Sequence, residues 1–136
     1  MKRYKPLFRE NNITDFYEYE EVQRTIDELQ LSYNIEEIID RFNKTKIQKL
    51  DKSIWKILNN TDYDVNTEQD VKARLEQYER DLDNYDKVLK EFKQGLFYPS
   101  LIIHTEKDGY YLVAGNTRLM VSKVNNLIPT VKIISL

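Results

Sequence analysis

The apolar run Tyr110–Ala114 meets Gly-Asn-Thr-Arg at 115–118 just where Met120, Val121, Val124 and Leu127 begin a helical spacing. A run rich in aromatic and branched residues predicts a strand, and the spacing after it predicts a helix. The chain must therefore pass from sheet to helix through Gly115 with almost no linker, which fixes how the two pack. Around this junction the pattern continues on both sides. Leu101–Thr105 reads as a strand, Lys107-Asp108-Gly109 as a hairpin turn, and Pro129–Leu136 as a last strand.

The junction also carries the only chemistry legible in the chain. Glycine permits a tight turn and a close approach to the backbone, and a helix start offers unpaired N–H groups with a partial positive charge. Such a place suits phosphate. Arg118 adds a permanently charged fork that matches pairs of phosphate oxygens, and Thr117 adds a hydroxyl. Read alone, the same letters also describe a closed turn at Gly115, a helix cap at Asn116 and a surface charge at Arg118.

The order Gly95-x-x-x-Pro99, hairpin, Gly115-x-x-Arg118, final strand resembles the ParB/sulfiredoxin-like superfamily over about residues 95–136. The resemblance implies an α+β fold, a small mixed β-sheet packed with an N-terminal helical region. It also implies a nucleotide, ATP, ADP or CTP with Mg²⁺, held by its phosphates at Gly115, Asn116, Thr117 and Arg118, with Gly95, Tyr98, Pro99 and Ser100 as a second loop. ParB proteins carry Gly-Glu-Arg-Arg at the first turn, whereas this chain has Asn116 and Thr117 in the middle. It shares threonine and arginine with the Gly-His-Thr-Arg of free serine kinases, so the implied activities are a small-molecule or nucleoside kinase or an NTPase. Sulfiredoxin chemistry is excluded because the chain has no cysteine. Glu18, Glu20 and Glu21 are candidate carboxylates, with no catalytic base singled out. Lysine- and asparagine-rich chains with this signature also resemble phage-encoded ParB-like proteins.

The rest of the chain reads as helical. Thr14 or Asp15 can cap a first helix bearing Phe16, Tyr19, Val22, Ile26 and Leu29 on one face. Asn34 with Glu37 has capping-box spacing and opens a second helix through Ile35, Ile38, Ile39 and Phe42. Thr45 with Gln48 repeats the signal and predicts a third, with Ile47, Leu50, Ile54, Ile57 and Leu58 inward and Trp55 beside them. Asn59–Asn66 reads as a loop. From Thr67 to Gln94, Val71, Leu75, Tyr78, Leu82, Tyr85, Leu89 and Phe92 form a heptad seam, which predicts one long helix of roughly 40 Å ended by Gly95. Its expected partner is the earlier helices, and the alternative is a homodimer or a protein partner through the 67–94 helix. Lys2–Asn12, broken by Pro6, reads as a basic arm or edge strand that joins the sheet.

At 136 residues the chain is expected to form a single domain spanning 1–136. Charge is uneven along it. Residues 1–13 carry 4 basic and 1 acidic side chains (+3), 14–65 carry 7 and 12 (−5), 66–94 carry 6 and 8 (−2), and 95–136 carry 4 and 2 (+2). A duplex-binding protein needs a concentrated basic face, so the acidic middle speaks against nucleic acid and against a partition- or nuclease-type function. No apolar run approaches membrane-spanning length, and no secretory leader is recognisable, so a cytoplasmic location is expected. His104, without a second histidine or any cysteine, reads as a strand residue rather than a metal ligand, and no metal site is expected.

Overall fold

A computed structural model describes residues 18–96 and 98–136. The expected N-terminal arm, the Thr14 or Asp15 cap and Phe16 lie outside the described residues. Six helices and four strands follow in the order α1 (Tyr19–Leu29), α2 (Ile35–Lys44), β1 (Gln48–Lys49), α3 (Lys52–Ile57), α4 (Glu68–Gln77), α5 (Asn84–Lys93), β2 (Ser100–Thr105), β3 (Gly109–Ala114), α6 (Asn116–Val124) and β4 (Thr130–Ser135). The fold is α+β around a small mixed sheet of order β1-β4-β2-β3, with β2 and β4 parallel and the other pairs antiparallel.

The period-2 alternation of the strands divides the core between the two faces of the sheet. Leu101, Ile103, Val113 and Ile134 meet Val22, Ile26, Ile38, Ile39 and Phe42 of α1 and α2 on one side. Ile102, Leu112 and Val131 meet Leu50, Trp55, Leu58 and Leu119 on the other. Burying each such side chain contributes about 1.5–3 kcal/mol, so these two layers hold the sheet in place. A third cluster, Val71, Leu75, Tyr85, Met120 and Val121, packs α4 and α5 onto α6. The second helix opens as expected, with Asn34 Oδ1 accepting from Glu37 N–H (2.9 Å) and Glu37 Oε1 accepting from Asn34 N–H (3.3 Å).

The third helix does not open at Thr45. Thr45 closes α2 instead, donating from Oγ1 to Arg41 O (2.7 Å), and Gln48–Lys49 pair with Thr130–Val131 at the sheet edge. An open strand edge needs partners for its backbone groups, and that non-local need outweighs the local capping signal. Helix α3 starts six residues later, where Asp51 accepts from Ser53 N–H (2.8 Å); Ser53 also holds the Asp51 carboxyl below its ordinary range. Ile57, expected inward, is 62% exposed.

The long helix is likewise two helices, and they pack against α6 rather than against the earlier helices. Helix α4 ends in a Schellman turn: Glu79 N–H donates to Glu76 O (3.0 Å) and Arg80 N–H to Leu75 O (2.8 Å). Glu79 sits at φ 56, a left-handed position that glycine fills at less cost. At the end of α5 the same turn does have glycine, with Gly95 at φ 74 and Leu96 N–H donating to Glu91 O (2.9 Å), as the sequence led us to expect. Because Glu79 is exposed and strained, Glu79→Gly is expected to stabilise the protein by about 0.5–1 kcal/mol, the relief of strain exceeding the entropy cost of glycine. Thermal unfolding checks this: Tm should rise by a few degrees for Glu79→Gly and stay unchanged for Glu79→Ala, and a fall in the glycine variant would contradict the turn.

Among the described residues no helix is long and apolar enough to cross a membrane.

Candidate functional site

Gly115 stands between β3 and α6 at φ 98 and ψ 23. A Cβ there would lie 2.3 Å from Ser100 Oγ, 2.7 Å from Ser100 Cβ and 2.9 Å from Arg118 Nη1. Only glycine fits such a position. Ser100, fully buried at the start of β2, donates its hydroxyl to Gly115 O (3.0 Å) and locks the turn to the sheet. Leu119 N–H is the first to return to Gly115 O (3.2 Å), and among the described residues no side chain caps the amides before it. Among the described residues the helix start is therefore open on its N–H side.

Asn116 is not the cap. Its Oδ1 accepts from Thr61 Oγ1 (2.7 Å) and Asp62 N–H (3.4 Å), and its Nδ2 donates to Asp62 Oδ2 (2.8 Å). It thus ties the 59–66 loop to the beginning of α6. The same loop is held from behind by β3: Asn59 N–H donates to Tyr110 O (2.9 Å), Leu112 N–H to Asn59 O (3.0 Å), and Asn60 Nδ2 to Leu112 O (2.8 Å). Asp62 also accepts from the Arg74 guanidinium and from Tyr78 Oη (2.8 and 2.7 Å), so one carboxylate joins α4, the loop and the glycine turn. Burial, with Asp62 as acceptor, pushes the Tyr78 hydroxyl above its ordinary range.

Arg118 lies back over the turn with its side chain 18% exposed. Nη2 is 3.4 Å from Glu18 Oε1, and the guanidinium carbon is 5.8 Å from the centre of the Tyr98 ring. Nη1 is buried and has no hydrogen-bond partner among the described residues. A buried donor left in this state costs about 1–3 kcal/mol, more when charged.

These groups surround a cleft of about 510 Å³. Its floor is Leu112 to Arg118, one wall carries Glu18, Glu21 and Arg24 from α1 and the residue before it, and the opposite wall is the corner between α4 and α5. Three arginines, Arg24 of α1, Arg80 of the turn between α4 and α5, and Arg118 of α6, line it together with Glu18, Glu21 and Asp62. A ligand there meets fixed charges of both signs rather than a uniform field.

The structure brings Gly115, Asn116, Thr117 and Arg118 together at the cleft floor, with Ser100 directly beneath. Tyr98 stands behind Arg118, in a small pocket with Val88 and Phe92, while Pro99 is buried. Gly95 ends α5 and does not line the cleft. Glu18 and Glu21 reach the site, and Glu20 is on the exposed face of α1. Asn60, Asp62, Arg80 and Asn84 were not legible as site residues. The one available signal was the run Asn-Asn-Thr-Asp-Tyr-Asp at 59–64, short polar side chains of the kind that bond backbone and shape a loop.

Comparison of the chain with models of protein families, with curated proteins and with solved structures gives no match in any of the three.

Proposed function

We propose that this chain binds a nucleotide, ATP, ADP or CTP, by its phosphates at Gly115–Arg118. The observation that carries the reading is the buried Nη1 of Arg118, without a hydrogen-bond partner among the described residues, beside a start of α6 that no described side chain caps. A phosphate oxygen supplies the acceptor both features lack, and anions are favoured at a helix N-terminus. Gly115 lets the turn close onto Ser100 and leaves room for Arg118 Nη1, which lies 2.9 Å from where a Cβ would stand. The Glu18 contact is long at 3.4 Å, and a phosphate would take its place on the guanidinium. The arrangement of β2, β3, α6 and β4 around the turn is compatible with the ParB/sulfiredoxin-like resemblance and supports the same ligand class.

Among the described residues no group of three or more histidine or acidic side chains is placed to hold a metal ion. Mg²⁺ would therefore be carried mainly by the ligand's phosphates. For a kinase or NTPase reaction the cleft offers two carboxylates besides Glu18. Asp62 is committed to Arg74, Tyr78 and Asn116, whereas the Glu21 carboxylate makes no hydrogen bond among the described residues. Glu21 is accordingly the group we assign to orient or deprotonate an acceptor. The alternative, an interaction or regulatory protein working through a helical arm, has less support because Val71, Leu75 and Tyr85 of the seam are buried within the chain.

Amide NMR tests the reading. Titration of the ¹⁵N-labelled protein with Mg-ATP, Mg-ADP or Mg-CTP should shift the amides of Asn116, Thr117 and Arg118 far more than those of the 106–108 turn. Binding that leaves those three amides unmoved rejects the placement, and no shift with any nucleotide rejects the function.

A further inference from the structure

The heptad pattern of 67–94 could build one continuous helix, yet the chain breaks it at Tyr78–Asp83. The break has costs: Glu79 takes a left-handed backbone, and Tyr78 and Leu82 are left 44% and 42% exposed. Strain of this sort persists where its surroundings impose it, and it concentrates at functional sites. Here the imposing contact is Asp62, which holds Tyr78 and Arg74 on one side and Asn116 on the other. The corner is thereby tied to the glycine turn through a single carboxylate.

What the corner gives the cleft is a wall of mixed chemistry. The Tyr78 ring and Val88 present apolar surface, Arg80 adds a guanidinium that makes no ion pair among the described residues, and Asn84 adds a carboxamide that makes no hydrogen bond among them. Apolar surface with one planar cation and one donor–acceptor pair is the composition that recognises a flat heterocycle by its faces and its edge. The cleft of about 510 Å³ is also much larger than a phosphate chain requires. We infer that the α4–α5 corner is the base-binding subsite of this cleft, Arg80 packing against the plane of a nucleobase and Asn84 reading its edge. The inference rests on the phosphate site at Gly115–Arg118 and adds the part of the ligand that would distinguish one nucleotide from another.

Calorimetry with Mg-ATP, Mg-CTP, Mg-GTP and inorganic triphosphate separates the two. Asn84→Ala should weaken the preferred nucleotide about tenfold and narrow the differences among the three bases, the loss of one or two hydrogen bonds. Arg80→Ala should weaken all three nucleotides several-fold. Neither change should alter triphosphate affinity by more than about twofold, since the phosphate turn is untouched. Both side chains are at least partly exposed, so circular dichroism and Tm should match the wild type. If either variant weakens triphosphate as much as the nucleotides, or if base preference survives both, the subsite is wrong while the phosphate site stands. A wild type that binds neither nucleotides nor triphosphate overturns both.

Discussion

Replacing Gly115 by alanine is expected to cost about 3 kcal/mol or more of folding stability, a large part of what a domain of this size possesses. Two effects combine. The backbone at φ 98 costs an L-residue about 1–2 kcal/mol, and the new methyl would sit 2.7 Å from the Cβ of the fully buried Ser100. Because Ser100 is part of β2, it yields only if the strand moves, and overpacking of this kind costs about 1–3 kcal/mol. A double-mutant cycle separates the terms: with Ser100→Gly as background, the added cost of Gly115→Ala should drop to the backbone strain alone, about 1–2 kcal/mol. Urea unfolding of the four proteins measures it. An equal cost in both backgrounds would mean that Ser100 does not wall off the turn.

Asp62→Ala is expected to be the next most damaging change, at about 2–3 kcal/mol. It removes the acceptor for Asn116 Nδ2, Tyr78 Oη and one arm of Arg74 at a carboxylate only 12% exposed. Three donors lose their partner in a part-buried setting, and the 59–66 loop, the α4–α5 corner and the start of α6 come loose from one another. Asp64 offers the control. It also pairs with Arg74 (2.8 Å), but it is 71% exposed, so Asp64→Ala should leave stability little changed. Thermal and urea unfolding of the two variants would contradict this account if Asp62→Ala proved as stable as Asp64→Ala.

What could be foreseen from the sequence was chemistry contained within a few residues. The Asn34–Glu37 box, the 105–109 hairpin and the glycine ending α5 all form where their letters place them. The errors arose where a distant partner decided the outcome. Thr45 and Gln48 have the spacing of a cap, but the free edge of β4 takes Gln48 and Lys49 as a strand. The seam of 67–94 has the period of one helix, but the corner is held to a loop and a turn that lie 16 and 38 residues from Tyr78 along the chain. A local sign was present there: Asp81 Oδ1 accepts from Asp83 N–H (2.9 Å), the self-bonding turn that Asp-x-Asp favours.

The same distinction applies to the site. Gly115–Arg118 could be read as a candidate site because glycine, helix start and arginine are consecutive, whereas Arg80 and Asn84 reach the cleft only through packing of α4 and α5 on α6. Charge was blurred by averaging. The −5 of residues 14–65 joins an acidic stretch, with 9 acidic and 1 basic side chains over 14–40, to a basic one, with 6 basic and 1 acidic over 41–56. Lys46, Lys49, Lys52 and Lys56 of that second stretch are exposed along β1 and α3, away from the cleft.

Phosphate binding at Gly115–Arg118 is tested most directly by calorimetric titration of ATP, ADP, CTP and GTP, each with Mg²⁺, into the wild type and Arg118→Ala. At least one nucleotide should bind the wild type, with a loss of about 100-fold in the variant, as expected when a charged, two-pronged contact to phosphate is removed from a part-buried site. Equal affinity in the two proteins, or no binding to a wild type shown to be folded, would contradict it.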